Sequence, residues 1–243
     1  MLAPVDNQAI VLAVIGDRYR LPTERLVPGR VVVAASAHPR LALRALERQG
    51  GAVVAVAPEW AGMLRQHLDG PDTVRTAMAA VAAAIPGHLF SGVARTGVAI
   101  PPPAAPVTVI DATDPRLPAW VLGHFTGEAW VVLGEHGEVL STAVLKRYDD
   151  RLREISVGTA EAARGRGLAR SVVAAAARAV LAEGRAVLYN HDPDNHASAK
   201  VAESVGLHEF GRFHVVVTDR TAGADYSEDD TADERTPRPS SSG

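Results

Sequence analysis

Short Val-rich runs that alternate with helical patterns, a proline-rich interruption at residues 101–106, and a strand, glycine-bearing turn and helix in succession around residue 165 predict a mixed α/β protein. Pro101, Pro102, Pro103 and Pro106 favour extended backbone and cannot continue a helix or a central strand. They divide the chain into a smaller N-terminal α/β unit over residues 1–100, a linker at 101–106, a second unit over 107–218 and an acidic tail over 219–243.

The elements read in order as follows. The apolar run at residues 9–15 reads as a buried strand, and the Val-rich segments at 31–35 and 52–57, bounded by Gly and Pro, read as two more. Leu41, Leu43, Ala45 and Leu46, set among arginines, suggest a helix over 38–49. A second helix begins after Pro58, with Trp60, Met63 and Leu64 inward, and an Ala-rich third runs over 73–85 until Pro86 and Gly87 stop it. Beyond the linker come a strand at 107–110, a helix near 117–122, and segments 128–133 and 138–145, which flank a Gly134 to Gly137 turn as an antiparallel hairpin. Residues 153–159 add a third strand. Leu168, Val172, Ala176 and Val180 then recur at helical spacing until Gly184. A short strand at 186–189 follows, then a helix capped by Asp194 or Asn195 and burying Ala197, Val201 and Val205 before Gly206, and a closing strand at 213–217.

Composition narrows the function. The chain is 47% hydrophobic and 22% charged, with 25 Lys+Arg against 28 Asp+Glu, which suits a globular protein. Seven of the acids lie between Asp219 and Gly243 against three arginines, so the body is nearly neutral and lacks the basic excess of a nonspecific nucleic-acid binder. The tail is too poor in apolar residues to offset its ordering entropy. With no cysteine, disulfides, thiolate metal sites and acyl transfer through an enzyme thiol are excluded. The first apolar run is too short to span a bilayer and follows Asp6 rather than a basic leader, so no membrane association is expected, and a cytoplasmic location fits. Ala-rich usage, with Lys146 and Lys200 the only lysines, suggests a bacterial source. No close pair of histidines has metal-ligand spacing, so no metal is expected.

The unit that carries chemistry is the strand ending at Thr159, followed by Arg164-Gly165-Arg166-Gly167-Leu168-Ala169. Helix starts leave backbone N–H groups unpaired and carry partial positive charge, so glycines there admit a phosphate, and the two arginines add full charges; alternatively the glycines only shape a tight connection. The dinucleotide fingerprint fails at Arg170, where a third glycine is needed, and no phosphate-binding G-x-x-x-x-G-K-[ST] loop occurs.

These six residues resemble the [QR]-x-x-G-x-[GA] signature of the GNAT superfamily of acyl-CoA-dependent N-acyltransferases. The downstream Asn195 to Ser198 and Val205-Gly206-Leu207 are similar to that family's later motifs, and the resemblance covers roughly residues 107–217. It implies a sheet that splays open after the 153–159 strand, with acetyl-CoA as co-substrate. Val157 and Thr159 would offer backbone groups to the pantetheine arm, and the amides of Gly165, Arg166, Gly167, Leu168 and Ala169, beside Arg164, would hold the pyrophosphate. Asn195 and Ser198 match positions near the thiol end, although Asn195 equally suits a helix cap.

The implied reaction is direct attack of an amine, on a small molecule or peptide, upon the thioester, by a monomer or homodimer. Glu154 is the candidate general base; the alternative is a solvated strand residue paired with Arg151 or Arg153. The family's frequent tyrosine proton donor falls at Ala202 here, which leaves Tyr189, Ser204 or water for that role. The same departure keeps open a non-catalytic acyl-CoA-binding module. His191 reads as a second acid/base residue or a polar turn residue. No second copy of the signature precedes residue 107, which favours an accessory N-terminal unit over a degenerate repeat of the same fold.

Overall fold

The computed structural model describes residues 6–38, 40–68, 83–85 and 87–217. The acidic tail lies outside these residues, as does most of the helix expected over 73–85. Among the described residues, one ten-stranded mixed sheet carries helices on both faces.

In chain order the elements are α1 (Asn7–Tyr19), β1 (Val31–Ala35), β2 (Leu41–Arg48), β3 (Gly51–Val56), α2 (Ala61–Leu68), β4 (His88–Thr96), β5 (Thr108–Asp111), β6 (Glu128–Leu133), β7 (Val139–Arg147), β8 (Leu152–Thr159), α3 (Leu168–Ala182), β9 (Ala186–His191), α4 (His196–Ser204) and β10 (His208–Val217). The strands lie in the order β1-β3-β2-β10-β4-β9-β8-β7-β6-β5. β10 therefore runs between β2 and β4, antiparallel to both, and joins the strands of the first hundred residues to those that follow.

Two early assignments change. Residues 9–15 belong to helix α1, not to a strand. Asp6 caps it by accepting the Ala9 N–H at 3.0 Å, and Asn7, Val11, Val14, Ile15 and Tyr19 fall on one buried stripe. A short apolar run has no period of its own, and the residues beyond it decide the matter. Residues 41–48 are strand β2, not a helix. Leu, Ala and Arg favour helices locally, but β2 lies between β10 and β3 with both faces covered, so its first six residues are all buried and alternation is lost. The overlooked signal is Gln49-Gly50, where φ is +52° and +72°, the two-residue hairpin turn that leads into β3. A third change is smaller: residues 117–122 form successive turns rather than a regular helix, broken by Pro118 and Gly123.

Two apolar layers sandwich the central strands. Val11, Val14 and Ile15 of α1 pack on one face with Leu152, Leu188 and Phe210. Val172, Val173, Ala176 and Val180 of α3 pack on the other with Ile155, Val187 and Tyr189. At the edge of the first layer, the fully buried Arg44 guanidinium donates to the carbonyl oxygens of Tyr19, Leu41 and Ser36 at 2.9–3.1 Å. These bonds tie α1 to β2, and burial lowers the Arg44 pKa to about 10. Among the described residues no helix is long and apolar enough to cross a membrane.

Just beyond β4, a side chain on Gly97 would collide with the carbonyl oxygen of Gly206, so the exit of β4 is packed directly on the exit of α4. Gly97→Ala should therefore lower unfolding stability by about 1–3 kcal/mol, read from the denaturant midpoint. Burial, followed by the charges of Arg44, Arg20 and Arg40, lowers the His38 pKa from 6.5 to about 4. As pH falls the unfolded chain takes up this proton first, so His38 withdraws stability progressively between about pH 6.5 and 4 and has no such effect above that window. Denaturation midpoints across this range should fall less steeply in His38→Gln than in the wild type.

Candidate functional site

The site begins where two parallel strands part. β8 and β9 pair only at Leu152↔Ala186, Arg153↔Val187 and Glu154↔Leu188. β8 continues to Thr159 in register with β7, whereas β9 continues to His191 alongside β4. The sheet therefore opens into a V bordered on one side by residues 155–159. Val157 and Thr159 lie on that border. Val157 is half-buried against the α3 layer, and the Thr159 hydroxyl is 3.0 Å from that of Ser141.

From the open end of β8 the chain passes through a short 3-10 turn, Glu161–Ala163, and reaches Arg164. Gly165 and Gly167 both adopt left-handed backbone, with φ of +75° and +74°, and nothing lies within 4 Å of where a side chain would stand on either. Gly167 occupies the N-cap of the fifteen-residue α3 and supplies no side-chain acceptor, and the first turn carries no acid. The amides at the start of α3 are thus left without a side-chain cap, on an open surface beside the exposed Arg164 and Arg166. Leu168 is buried and seats the turn, with Ala169 half-buried behind it. A helix start of this kind attracts an anion through its unpaired N–H groups and its partial charge.

Glu154 sits at the apex of the V, at the last paired position of β8. It is not a solvated strand residue: it is only 7% exposed. Its Oε2 accepts from the Tyr148 hydroxyl at 2.6 Å and from Asn190 Nδ2 at 3.0 Å, and its register partner on β7 is Lys146. Arg151 instead pairs with Asp149 and Asp17, and Arg153 donates to the carbonyls of Asp149 and Leu152. A cleft of about 270 Å³ opens over the carboxylate, with Tyr19, Phe90, Lys146, Tyr148 and Asn190 among its walls. Further along the same face of β8, Gly158 leaves room for Trp120, whose ring would lie 2.8 Å from a side-chain carbon there. Trp120 meets Phe125 edge to face at 5.8 Å and is partly exposed.

On the other face, Tyr189 is fully enclosed, and its hydroxyl has no well-formed hydrogen bond. Burial raises the phenol pKa, and nearby Ser198 and Arg95 only partly oppose that shift. Asn195 caps α4: its Oδ1 accepts the Ser198 N–H at 3.0 Å. Ala202 is buried where a tyrosine was sought. Both ring nitrogens of His191 are engaged. Nδ1 faces the Asp192 carbonyl at 2.8 Å and Nε2 accepts from Arg95 Nε at 2.8 Å, so a proton taken from a substrate at Nε2 would first have to displace the arginine.

The structure thus brings Glu154, Val157, Thr159 and the Arg164 to Ala169 turn onto the two arms and the open end of a single V. It also supplies Tyr148 and Asn190 as the immediate partners of Glu154, which sequence reasoning did not single out. No local motif marks them; Asn190 is found only once Glu154 is known to face Leu188, two residues earlier.

No curated protein matches this chain. Among solved structures, it is similar to a GNAT-family protein of Novosphingobium aromaticivorans DSM 12444, with 16% identity, 60% of this chain and 81% of that one covered, and a TM-score of 0.46. An acetyltransferase from the GNAT family from Colwellia psychrerythraea gives 12% identity, coverage of 61% and 63%, and a TM-score of 0.44. A GCN5-related N-acetyltransferase-like protein from Streptococcus suis 89/1591 gives 18%, coverage of 58% and 68%, and 0.43. Likeness at this level adds nothing about activity. The family assignment rests on sequence instead: residues 94–208 match the sequence model of the acetyltransferase (GNAT) domain. Residues 94–208, just under half of the chain, are thereby identified as a GNAT acetyltransferase domain, with a further N-terminal region preceding them.

Proposed function

We propose that the chain transfers an acetyl group from acetyl-CoA directly to an amine acceptor, a small molecule or a peptide. The observation that carries this reading is the buried Glu154 carboxylate at the apex of the β8–β9 opening, with the uncapped, glycine-shaped start of α3 at the other end of the same strand. The domain match over residues 94–208 supports acetyl transfer, and this geometry supports a place for both ends of the co-substrate.

In this reading the amides from Gly165 to Ala169 hold the pyrophosphate, and Arg164 and Arg166 screen its charge. Val157 and Thr159 hold the pantetheine arm along the border of the V, and Asn195 and Ser198 lie toward the thiol end. The capping bond occupies Asn195 Oδ1, so its Nδ2 is the group left to donate. Glu154 takes a proton from the acceptor ammonium, after which the neutral nitrogen attacks the thioester carbonyl, the amide C–N bond forms and the C–S bond breaks. Tyr148 and Asn190 hold the carboxylate in place while this happens. The departing thiolate takes a proton from Tyr189 or from water; a phenol held protonated by burial suits a donor. We also place the accessory unit at residues 1–100, joined by the 101–106 linker. Tyr19 and Phe90 support a part for it in the acceptor cleft, because both line that cleft beside Glu154.

One observation favours a second reading. With Ala202 where the family often has a tyrosine, the domain would bind acyl-CoA without turning it over. The two readings separate in a thiol-release assay with acetyl-CoA across a panel of amines. Transfer predicts turnover in the wild type and a loss of about 100-fold in kcat/KM for Glu154→Gln with coenzyme A affinity nearly unchanged. Binding without turnover on any amine sinks the enzyme reading and leaves the module. Gly167→Val meets no neighbour within 4 Å and strains only the backbone, for about 1 kcal/mol of stability. It should nonetheless weaken coenzyme A binding by about ten-fold or more in calorimetry, by obstructing phosphate approach to the α3 amides.

A further inference from the structure

A hydroxyl, an imidazole and a carboxylate stand in line across three neighbouring strands, away from the Glu154 carboxylate. Ser91 on β4 is the direct register partner of His214 on β10. Ser91 Oγ and His214 Nδ1 are 2.7 Å apart. On the far side of the ring, His214 Nε2 is 3.0 Å from Oε1 of Glu47, on β2. Glu47 faces Arg212 in the β2–β10 ladder, two residues before His214, so it reaches the ring on the diagonal. Arg212 is itself paired with Glu209 at 3.0 Å.

The protonation pattern follows from donor chemistry. An ionised carboxylate only accepts, so Glu47 fixes the ring proton on Nε2. Nδ1 is then a bare acceptor, and the Ser91 hydroxyl donates to it, leaving the oxygen lone pairs free to attack. The His214 side chain is only 6% exposed, which excludes competing water, whereas that of Glu47 is 25% exposed and remains an ordinary carboxylate contact to solvent. The ring is turned relative to the more frequent arrangement, in which serine meets Nε2 and the acid meets Nδ1. An imidazole works either way round, because the roles require one basic nitrogen toward the hydroxyl and one N–H toward the acid.

Ser91 is half-buried, and by the alternation of β4 and β10 its side chain and that of His214 stand on the sheet face opposite Phe90, Phe213 and Val215, away from the cleft over Glu154. β4 pairs with β9 only at Val93, Ala94 and Arg95, so from Gly92 outward that edge of β4 has no strand partner among the described residues. Unpaired edge amides are the kind of donor that steadies an oxyanion.

We propose that Ser91, His214 and Glu47 form a serine acyl-transfer centre that hydrolyses acyl esters, an activity separate from transfer to amines and independent of coenzyme A. The Ser91 oxygen adds to the ester carbonyl carbon as its proton passes to His214 Nδ1. The acyl–oxygen bond to the leaving group breaks, and the alcohol departs with that proton. Water then adds to the acyl-Ser91 ester and gives a proton to Nδ1, which is returned to Ser91 as the carboxylic acid is released. Glu47 stays ionised throughout and steadies the imidazolium that forms in each half.

The test uses the full chain without coenzyme A. A fluorophosphonate probe should label Ser91, identified by peptide mapping, and the label should be lost in Ser91→Ala. Glu47→Gln keeps a hydrogen-bonding side chain at a partly exposed position and should label at least about ten-fold more slowly. With p-nitrophenyl acetate, an acetyl adduct should appear on the Ser91 peptide, with nitrophenolate release that Ser91→Ala abolishes. The proposal is overturned if folded wild-type protein shows no adduct at Ser91 with either reagent, or if Glu47→Gln labels at the wild-type rate. None of these readouts depends on amine acetylation, so failure here leaves the amine reading untouched, and failure of that reading leaves this one standing.

Discussion

The early end of one parallel strand pair governs this molecule. Had β8 and β9 stayed in register beyond Glu154 and Leu188, their edge amides and carbonyls would have satisfied one another and the sheet would have been closed. Because they part, the backbone of residues 155–159 is held in shape by β7 on one side and offered outward on the other. β4 makes the parting tolerable. It takes up the far end of β9 and occupies the place beside β10, so the two halves of the sheet remain joined although they diverge.

The parted strands also set the surroundings of one buried carboxylate. Glu154 loses solvent at the apex but gains two neutral hydrogen-bond donors, Tyr148 and Asn190, which come from a turn and from the opposite strand. A carboxylate held by these two donors is fixed in direction. The start of α3 is built the other way: Gly167 offers its amides no side-chain acceptor, which leaves them open to an outside partner. One end of the opening is thus internally satisfied and the other is left wanting a partner.

Much of the second half of the chain was legible from the residues alone. The β6–β7 hairpin, β8, α3, β9, the Asn195 cap and the last strand announce themselves through turn glycines, caps and clean periodicity, and the glycine turn marked the uncapped start of α3. The first half misled because its elements are buried on both sides. β2 shows no alternation when α1 and α2 cover both its faces, and its Leu, Ala and Arg residues read as a helix. The run at 9–15 showed no period until Tyr19 and Asn7 were included. Tyr148 and Asn190 were invisible as partners of Glu154 for a different reason. Contacts made across strands depend on register, which lies in the pairing of distant segments and not in the spacing of neighbours.

The placement of β4 bears on how the chain reaches its native state. This strand is made early, yet its neighbours on either side, residues 186–191 and 208–217, are among the last described residues to leave the ribosome. Until they arrive, β4 has two open flanks, and the middle of the sheet cannot close. Such distant pairing gives a high contact order and slow folding, with a window in which bare strand edges invite association with other chains. The centre of this protein is therefore its latest part to form.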